Sequence, residues 1–221
     1  MTPNPALFAM NIKDPILAGY GFGSAEPSDA SAYLWNPILA LCKLFKARRI
    51  LDLGCGNGAF CQELVRAGFE AVGCDPSKDG IRFATEAVPS ATFKRVGVDD
   101  DPATLAERDF DVVVSTEVVE HLFLPRHLPH FAFQVLRPGG HLIVSTPYHG
   151  YLKNLLLSIA NKWDAHHTPF WDGGHIKFWS RKTLTMLLEQ EGFRVTHFIG
   201  AGRLPYLWKS MIVAAIKPQS A

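Results

Sequence analysis

Hydrophobic positions recur along the chain with two distinct spacings. Short apolar runs at Arg49–Leu53 (RILDL), Glu70–Cys74 (EAVGC), Ala91–Val96, Phe110–Ser115 (FDVVVS) and His141–Ser145 (HLIVS) have the length of strands. FDVVVS is continuously apolar between polar flanks, the pattern of a strand buried on both faces. Between the runs the spacing becomes helical. Ala59–Ala67 sets Phe60 and Leu64 on one face and stops at Gly68, and Ser77–Val88 aligns Ile81, Ala84 and Val88. Pro125–Leu136 gathers Leu128, Phe131, Ala132, Val135 and Leu136, after which Pro138-Gly139-Gly140 predicts a turn into the fifth strand. Strands alternating with helices predict an α/β fold, a mostly parallel sheet wound on both faces, with ligands outside the carboxyl ends of its strands.

The rhythm changes at both ends of this core. Residues 1–30 are rich in Pro, Gly, Ser and Ala and read as a loose arm. Ser31–Phe45 is helical, with Pro37 either bending it or starting a second turn. Pro147–Trp179 has no strand–helix rhythm and is too long for an ordinary connection, which marks it as functional. Ser180–Glu191 is a helix with Ser180 as N-cap and Gly192 as stop; Phe193–Ile199 and Ser210–Lys217 are two last strands paired antiparallel. The predicted organisation is an arm and helix over 1–45 and one α/β domain over 46–221, carrying an insertion at about 147–179.

Composition narrows the classes of function. Across 221 residues, 22 Lys+Arg against 21 Asp+Glu leave a net charge of +1, too small a field to hold a long nucleic acid by its phosphates, so a nucleic-acid partner is not expected. Cys42, Cys55, Cys61 and Cys74 form no Cys-x-x-Cys pair and read as reduced thiols of a cytoplasmic protein. The first fifteen residues lack a basic leader before an apolar run, and no apolar stretch is long enough to span a bilayer.

The chemistry concentrates at strand ends. Leu51-Asp52-Leu53-Gly54-Cys55-Gly56-Asn57-Gly58 joins the first strand to a helix. Its glycines let the backbone approach a ligand closely. The Gly-x-Gly-x-Gly spacing departs from the Gly-x-Gly-x-x-Gly of a dinucleotide fingerprint, since position 59 is Ala, and so counts against a nicotinamide oxidoreductase. Asp75 ends the second strand, where a carboxylate can take both ribose hydroxyls; in Asp75-Pro76-Ser77 it also reads as a helix cap. Val98-Asp99 follows the third strand as either an adenine contact or part of a solvated acidic turn with Asp100 and Asp101.

LDLGCGNG, VGCDPS, FDVVVSTEVVEHL and LRPGGHLIVSTP, in that order over roughly Ile50–Val195, resemble the successive motifs of class I S-adenosylmethionine-dependent methyltransferases. The resemblance implies a Rossmann-like, seven-stranded sheet whose last strand is antiparallel. It implies that Asp52, Gly54, Cys55, Gly56, Asn57, Asp75, Pro76, Val98, Asp99, Thr116 and Glu117 hold S-adenosylmethionine. A binding module that has lost catalysis is the rival from another class, opposed by the intact loop motifs.

Glu117-x-x-Glu120-His121 follows the fourth strand. If the stretch begins a helix, the three side chains share one face. They then suit Mg²⁺, Mn²⁺ or Zn²⁺, which would lower the pKa of an acceptor hydroxyl. The alternatives are a metal-free Glu–His pair that orders the loop, or His121 as general base. The motif resembles one in ubiquinone-biosynthesis O-methyltransferases and in small-RNA 2′-O-methyltransferases, and GGHIKFWSR resembles their later segment, which makes His175 a fourth ligand. STPYHGYLKNLLLSI is similar to the ubiquinone enzymes, the nearest pattern. These likenesses imply O-methylation of a small aromatic or lipid-like acceptor, with Glu117 and His121 activating it, or, as the alternative, of an RNA end. The largely apolar stretch Tyr151–Trp163 is a lid, an interfacial helix touching a membrane, or a helix buried on the sheet. His166, His167, Phe170, Trp171, His175, Phe178 and Trp179 suit a planar acceptor or tether the loop.

Overall fold

The computed structural model describes residues 30–167, 169–170 and 173–219. The loose arm expected over residues 1–30, apart from Ala30, and position 171 of the aromatic group therefore lie outside the described residues. The elements run α1 (Ser31–Leu44), β1 (Arg49–Leu53), α2 (Ala59–Arg66), β2 (Glu70–Cys74), α3 (Lys78–Ala87), β3 (Thr92–Lys94), β4 (Phe110–Thr116), α4 (His127–Val135), β5 (Leu136–Pro147), α5 (Tyr151–Ile159), α6 (Trp163–His167), α7 (Arg181–Gln190), β6 (Arg194–Ala201) and β7 (Ser210–Ile216).

Seven strands form one sheet in the order β3-β2-β1-β4-β5-β7-β6. β1 to β5 run parallel, and β7 is antiparallel to both β5 and β6, as the sequence and the resemblance implied. Alternation along the central strands divides the core in two. Ile50, Val112, Val114 and Ile143 pack with Leu34, Ile38, Phe60 and Leu64 of α1 and α2. Leu51, Val113, Leu142 and Val144 face the other way, onto Leu128 and Phe131 of α4 and Leu184 and Leu188 of α7. Burying each such side chain stabilises the fold by roughly 1.5–3 kcal/mol before chain entropy is counted. The order changes direction between β1 and β4, so the crevice falls at the ends of those two strands.

Three local expectations need correction. Pro138-Gly139-Gly140 does not turn the chain. It sits inside β5 as a bulge, because β4 and β5 shift register between Phe110↔Leu136 and Val112↔His141, and Gly139 adopts φ +74°. Pro37 lies within one continuous α1, so of its two readings the start of a second turn is the one overturned. The segment after Gly150 is not a helix buried on the sheet: in α5, Tyr151, Leu152, Leu155, Leu156 and Ile159 are exposed and only Lys153 is buried.

Candidate functional site

The glycine loop turns sharply out of β1. Gly54, Gly56 and Gly58 have φ of +85°, +52° and +78°, a region that L side chains resist. At Gly54 space is also short, since a Cβ there would stand 2.6 Å from Val118 Cγ2. Asp75, at the end of β2, fixes the loop from outside. Its Oδ2 accepts the Gly56 amide at 3.0 Å and its Oδ1 accepts the Ser77 amide at 2.8 Å, while the Ser77 hydroxyl caps α3 through Gly80 N. Both readings of Asp75 thus meet in one side chain. A carboxylate has about four acceptor sites, so two hydrogen bonds leave room for ribose hydroxyls.

Beneath the loop lies Asp52, 1% exposed. Its Oδ2 takes a weak bond from Cys61 Sγ at 3.5 Å and its Oδ1 has no hydrogen-bond partner. Burial pushes its carboxyl up to about 7. Cys55 is buried in the same layer and its thiol is raised well above the ordinary range, again by burial, so it serves the loop as a packed apolar group. Asn57 Oδ1 accepts the Ala59 amide, and the exposed Asp99 accepts from His127 Nδ1 at 2.8 Å, with Val98 buried beside it. Asp99 is therefore a surface carboxylate paired to α4, while its backbone stays at the third strand's carboxyl edge. A loop free of side chains at 54, 56 and 58, flanked by the Asp75 carboxylate, fits the S-adenosylmethionine that the resemblance implies.

The second half of the site begins where β4 ends. Thr116 closes that strand, and Glu117 takes φ +53°, so the chain turns before any helix starts; only a single 3₁₀ turn, Val119–His121, follows. This overturns the shared face expected for residues 117, 120 and 121. Glu117 swings onto the sheet ends, where Ser145 Oγ (2.9 Å) and Ser210 Oγ (3.1 Å) donate to its two oxygens. Burial raises its carboxyl to about 7, opposed by those serines and by Lys153. Among the expected metal ligands, Glu117 is the one the fold draws away.

Glu120, His121 and His175 do meet: their ligand atoms all lie within 4.8 Å of one another. Glu120 is 1% exposed; its Oε2 accepts from Thr146 Oγ at 2.9 Å, and its Oε1 is buried with no hydrogen-bond partner, 3.9 Å from His121 Nε2 and 4.0 Å from His175 Nε2. Burial and the field of Glu117 raise its carboxyl well above the ordinary range. His121 Nδ1 faces two acceptors, the carbonyls of Gly173 (2.8 Å) and Gly174 (3.2 Å), so it carries the proton and Nε2 keeps its lone pair. Burial pushes the His121 imidazole down and holds His175 near 4. A buried, unpartnered carboxylate oxygen beside two neutral imidazoles is a donor set that fits a divalent cation.

The strap bearing His175 is tied to the same turn. The Glu120 carbonyl accepts the Ile176 and Lys177 amides, both at 2.9 Å, and the Trp179 carbonyl accepts His149 N. Sequence reasoning overlooked Ser145, Thr146 and Ser210 as the groups that hold the two glutamates. The Ser-Thr-Pro ending of β5 was the available signal for the first two; nothing in the sequence marked Ser210. Among the aromatic residues, His167 and Phe178 approach to 4.5 Å between ring centroids, whereas Phe170 is fully exposed.

A family model described as "Methyltransferase domain" matches residues 28–198. The ubiquinone biosynthesis O-methyltransferase of Azorhizobium caulinodans is 35% identical over 145 residues, 56% of this chain and 54% of that protein. The mitochondrial enzyme of the same name from Homo sapiens is 31% identical over 159 residues, 69% of this chain and 43% of that one. The chain thus spans about half the length, or less, of the curated relatives it matches. Among solved structures, magnesium protoporphyrin IX methyltransferase from Synechocystis, with bound S-adenosylhomocysteine, superposes with a TM-score of 0.60 at 18% identity, covering 84% of this chain and 81% of that one.

Proposed function

The chain belongs to the methyltransferase-domain family, and from that premise we propose that it transfers a methyl group from S-adenosylmethionine to an oxygen of a small aromatic or lipid-like acceptor. The observation that carries this reading is the placement of the Glu120–His121–His175 cluster one turn beyond β4, beside the loop that Asp75 pins. The names of the relatives support oxygen as the acceptor atom.

When bound, S-adenosylmethionine supplies an electrophilic methyl on a sulfonium. The protein's work is then to hold an acceptor hydroxyl in line and to weaken or take its proton. The glycine loop and Asp75 position the donor. Glu120, His121 and His175 would hold a divalent ion, which would lower the pKa of an acceptor hydroxyl. Two imidazoles and one carboxylate suit Zn²⁺ or Mn²⁺ better than Mg²⁺. Glu117 is poised to receive the proton, since a carboxyl held near 7 changes charge at working pH.

Among the described residues, no helix is long and apolar enough to cross a membrane. The exposed apolar side of α5 is our proposed peripheral contact with a lipid surface, the route by which a lipid-like acceptor would arrive.

Calorimetry with S-adenosylmethionine and with NAD, followed by an acceptor screen that reads S-adenosylhomocysteine formation, tests the proposal. Binding of S-adenosylmethionine alone, with product from hydroxylated arenes, is expected. Tight NAD binding would end it.

A further inference from the structure

Of the two serines that hold Glu117, one is local and one reaches outward. Ser145 Oγ donates to Oε1 and also accepts the Glu117 amide at 3.2 Å, so it closes a small ring with that residue. Ser210, the first residue of β7 and 1% exposed, donates to Oε2 at 3.1 Å, and its Oγ also lies 3.4 Å from the phenol oxygen of Tyr33 on α1. That distance is long for two hydroxyls, and catalytic hydrogen bonds are often long before a substrate binds. Tyr33 is half-buried, and two residues of the β6–β7 connection seat its ring. Lys209 Nζ stands 5.3 Å from the ring centroid. Gly202 leaves the ring room, since a Cβ there would come within 3.1 Å of Tyr33 Cδ2.

The protons give this series a direction. A serine hydroxyl has one proton, and an ionised carboxylate only accepts. Ser210 spends its proton on Glu117, so the proton between Ser210 and Tyr33 is the phenol's. Tyr33 therefore donates to Ser210, which donates to Glu117. Hydrogen bonds in series polarise one another, so the phenol makes the serine a better donor. Bonds to an ionised acceptor are about twice as strong as neutral ones, so the series favours the carboxylate over the carboxyl. Ser145, Ser210 and the charge of Lys153 on α5 all oppose the burial that holds Glu117 at about 7, and Glu120 on the turn after β4 feels its field. Lys209, the cation against Tyr33, is exposed to water.

We infer that Tyr33 is a positioning residue for the proposed methyl transfer: through Ser210 it orients the Glu117 carboxylate and keeps it ready to take the acceptor's proton. In that reaction the acceptor oxygen gains the methyl and loses its proton to Glu117, while the carbon–sulfur bonding pair stays on sulfur as S-adenosylhomocysteine forms. Each carboxylate oxygen has a second acceptor site for that proton beside its serine. Tyr33 sits on the helix ahead of the sheet, outside the four motifs that carried the resemblance, and so brings α1 into the site. The purpose given to Tyr33 rests on the methyltransferase reading; its hydrogen-bonded link to Glu117 does not.

The test follows Glu117 itself by NMR, on the full chain with isotope-labelled glutamate δ-carboxyls, titrated across neutral pH with and without saturating S-adenosylhomocysteine. Glu117→Gln identifies its resonance by deleting it. Ser210→Ala should move the titration midpoint up by about one pH unit, the scale of one charge-assisted hydrogen bond. Tyr33→Phe, which keeps the ring against Lys209 and Gly202, should move it up by roughly 0.3 of a unit, the share that one polarising partner adds. In the Ser210→Ala background Tyr33→Phe should change nothing further, because the phenol acts only through that serine. A midpoint that stays put in Tyr33→Phe, that moves down in either variant, or that moves equally with and without Ser210 overturns the inference. If Ser210→Ala does not fold, Tyr33→Phe alone still decides it. Failure to bind S-adenosylhomocysteine is a different result: it overturns the methyltransferase reading, and the titrations without it still decide whether Tyr33 acts on Glu117.

Discussion

Glu117 and Glu120, three residues apart, share no hydrogen-bond partner: Ser145 and Ser210 hold the first, and Thr146 holds the second. Burial keeps both carboxyls raised, and the field of Glu117 raises Glu120 further. The separation assigns different work to each. On the proposed metal site, Glu120→Ala should lower metal content and cut methyl transfer by at least about 100-fold, because it would delete one ligand of three. Glu117→Gln should leave metal content unchanged. Its effect should fall on the pH profile: the unmodified enzyme gains activity as pH rises through about 7, where Glu117 ionises, and the Gln variant loses that limb. Metal analysis with rate–pH curves checks both. Equal metal loss in the two variants would return Glu117 to the ligand set.

Asp52 makes stability depend on pH with an unusual sign. In the unfolded chain an aspartate titrates near 3.9, whereas burial holds the folded carboxyl at about 7. Between those values the folded state binds more protons, so stability falls as pH rises from about 4 to about 7. Asp52→Asn removes the charge but keeps an oxygen for Cys61. It should therefore gain on the order of 4 kcal/mol over the unmodified protein at pH 8 and close to nothing at pH 4. Denaturant titrations of the ligand-free proteins at the two pH values measure this. A gain of equal size at both would mean that ionisation of Asp52 is not the cause.

Local features of the site were readable from sequence, and features that depend on a backbone turn were not. The glycine loop was legible because its spacing and its strand–helix setting are contained within ten residues. Asp75 was legible because a strand end fixes where its side chain emerges. β1 and β2 have the predicted bounds for the same reason. Glu117 was misplaced because helical spacing was assumed across a residue that adopts φ +53°, and one left-handed residue rotates everything after it. His175 was found through family resemblance alone, as its partners lie more than fifty positions away. Lys153 looked like an interruption in an apolar stretch. In the fold it is the inward residue and the apolar ones face out, an inversion that periodicity cannot detect because both faces repeat at the same interval.

The contact between the glycine loop and the turn after β4 separates two causes of strain. A Cβ at Gly54 would meet Val118 Cγ2 at 2.6 Å and would also have to sit at φ +85°. Gly54→Ala should destabilise by roughly 1–3 kcal/mol, combining overpacking with left-handed backbone. Val118→Ala removes the colliding methyl groups, so the double variant should recover the steric share and keep the backbone share. A double-mutant cycle by thermal or chemical denaturation reads the coupling. Strict additivity would show that the loop moves aside from Val118 and that backbone conformation alone selects glycine.

The outward face of α5 carries the last expectation. Tyr151 and Ile159 are 83% and 73% exposed, and Leu152, Leu155 and Leu156 lie between them, so one short helix presents five large apolar side chains to solvent. Scattered exposed apolar residues are ordinary, but a contiguous set on one helix face marks a contact surface. Each such side chain placed in an acyl boundary is worth about 1–3 kcal/mol, and several together would hold the chain reversibly on a vesicle. Flotation with neutral phosphatidylcholine vesicles should recover the protein in the lipid fraction. Tyr151→Ser with Ile159→Ser should release most of it without altering S-adenosylmethionine affinity, since neither side chain packs into the fold. If the protein stays with the soluble fraction on both neutral and anionic vesicles, α5 is not a membrane contact, and a lipid-like acceptor would have to be delivered from solution.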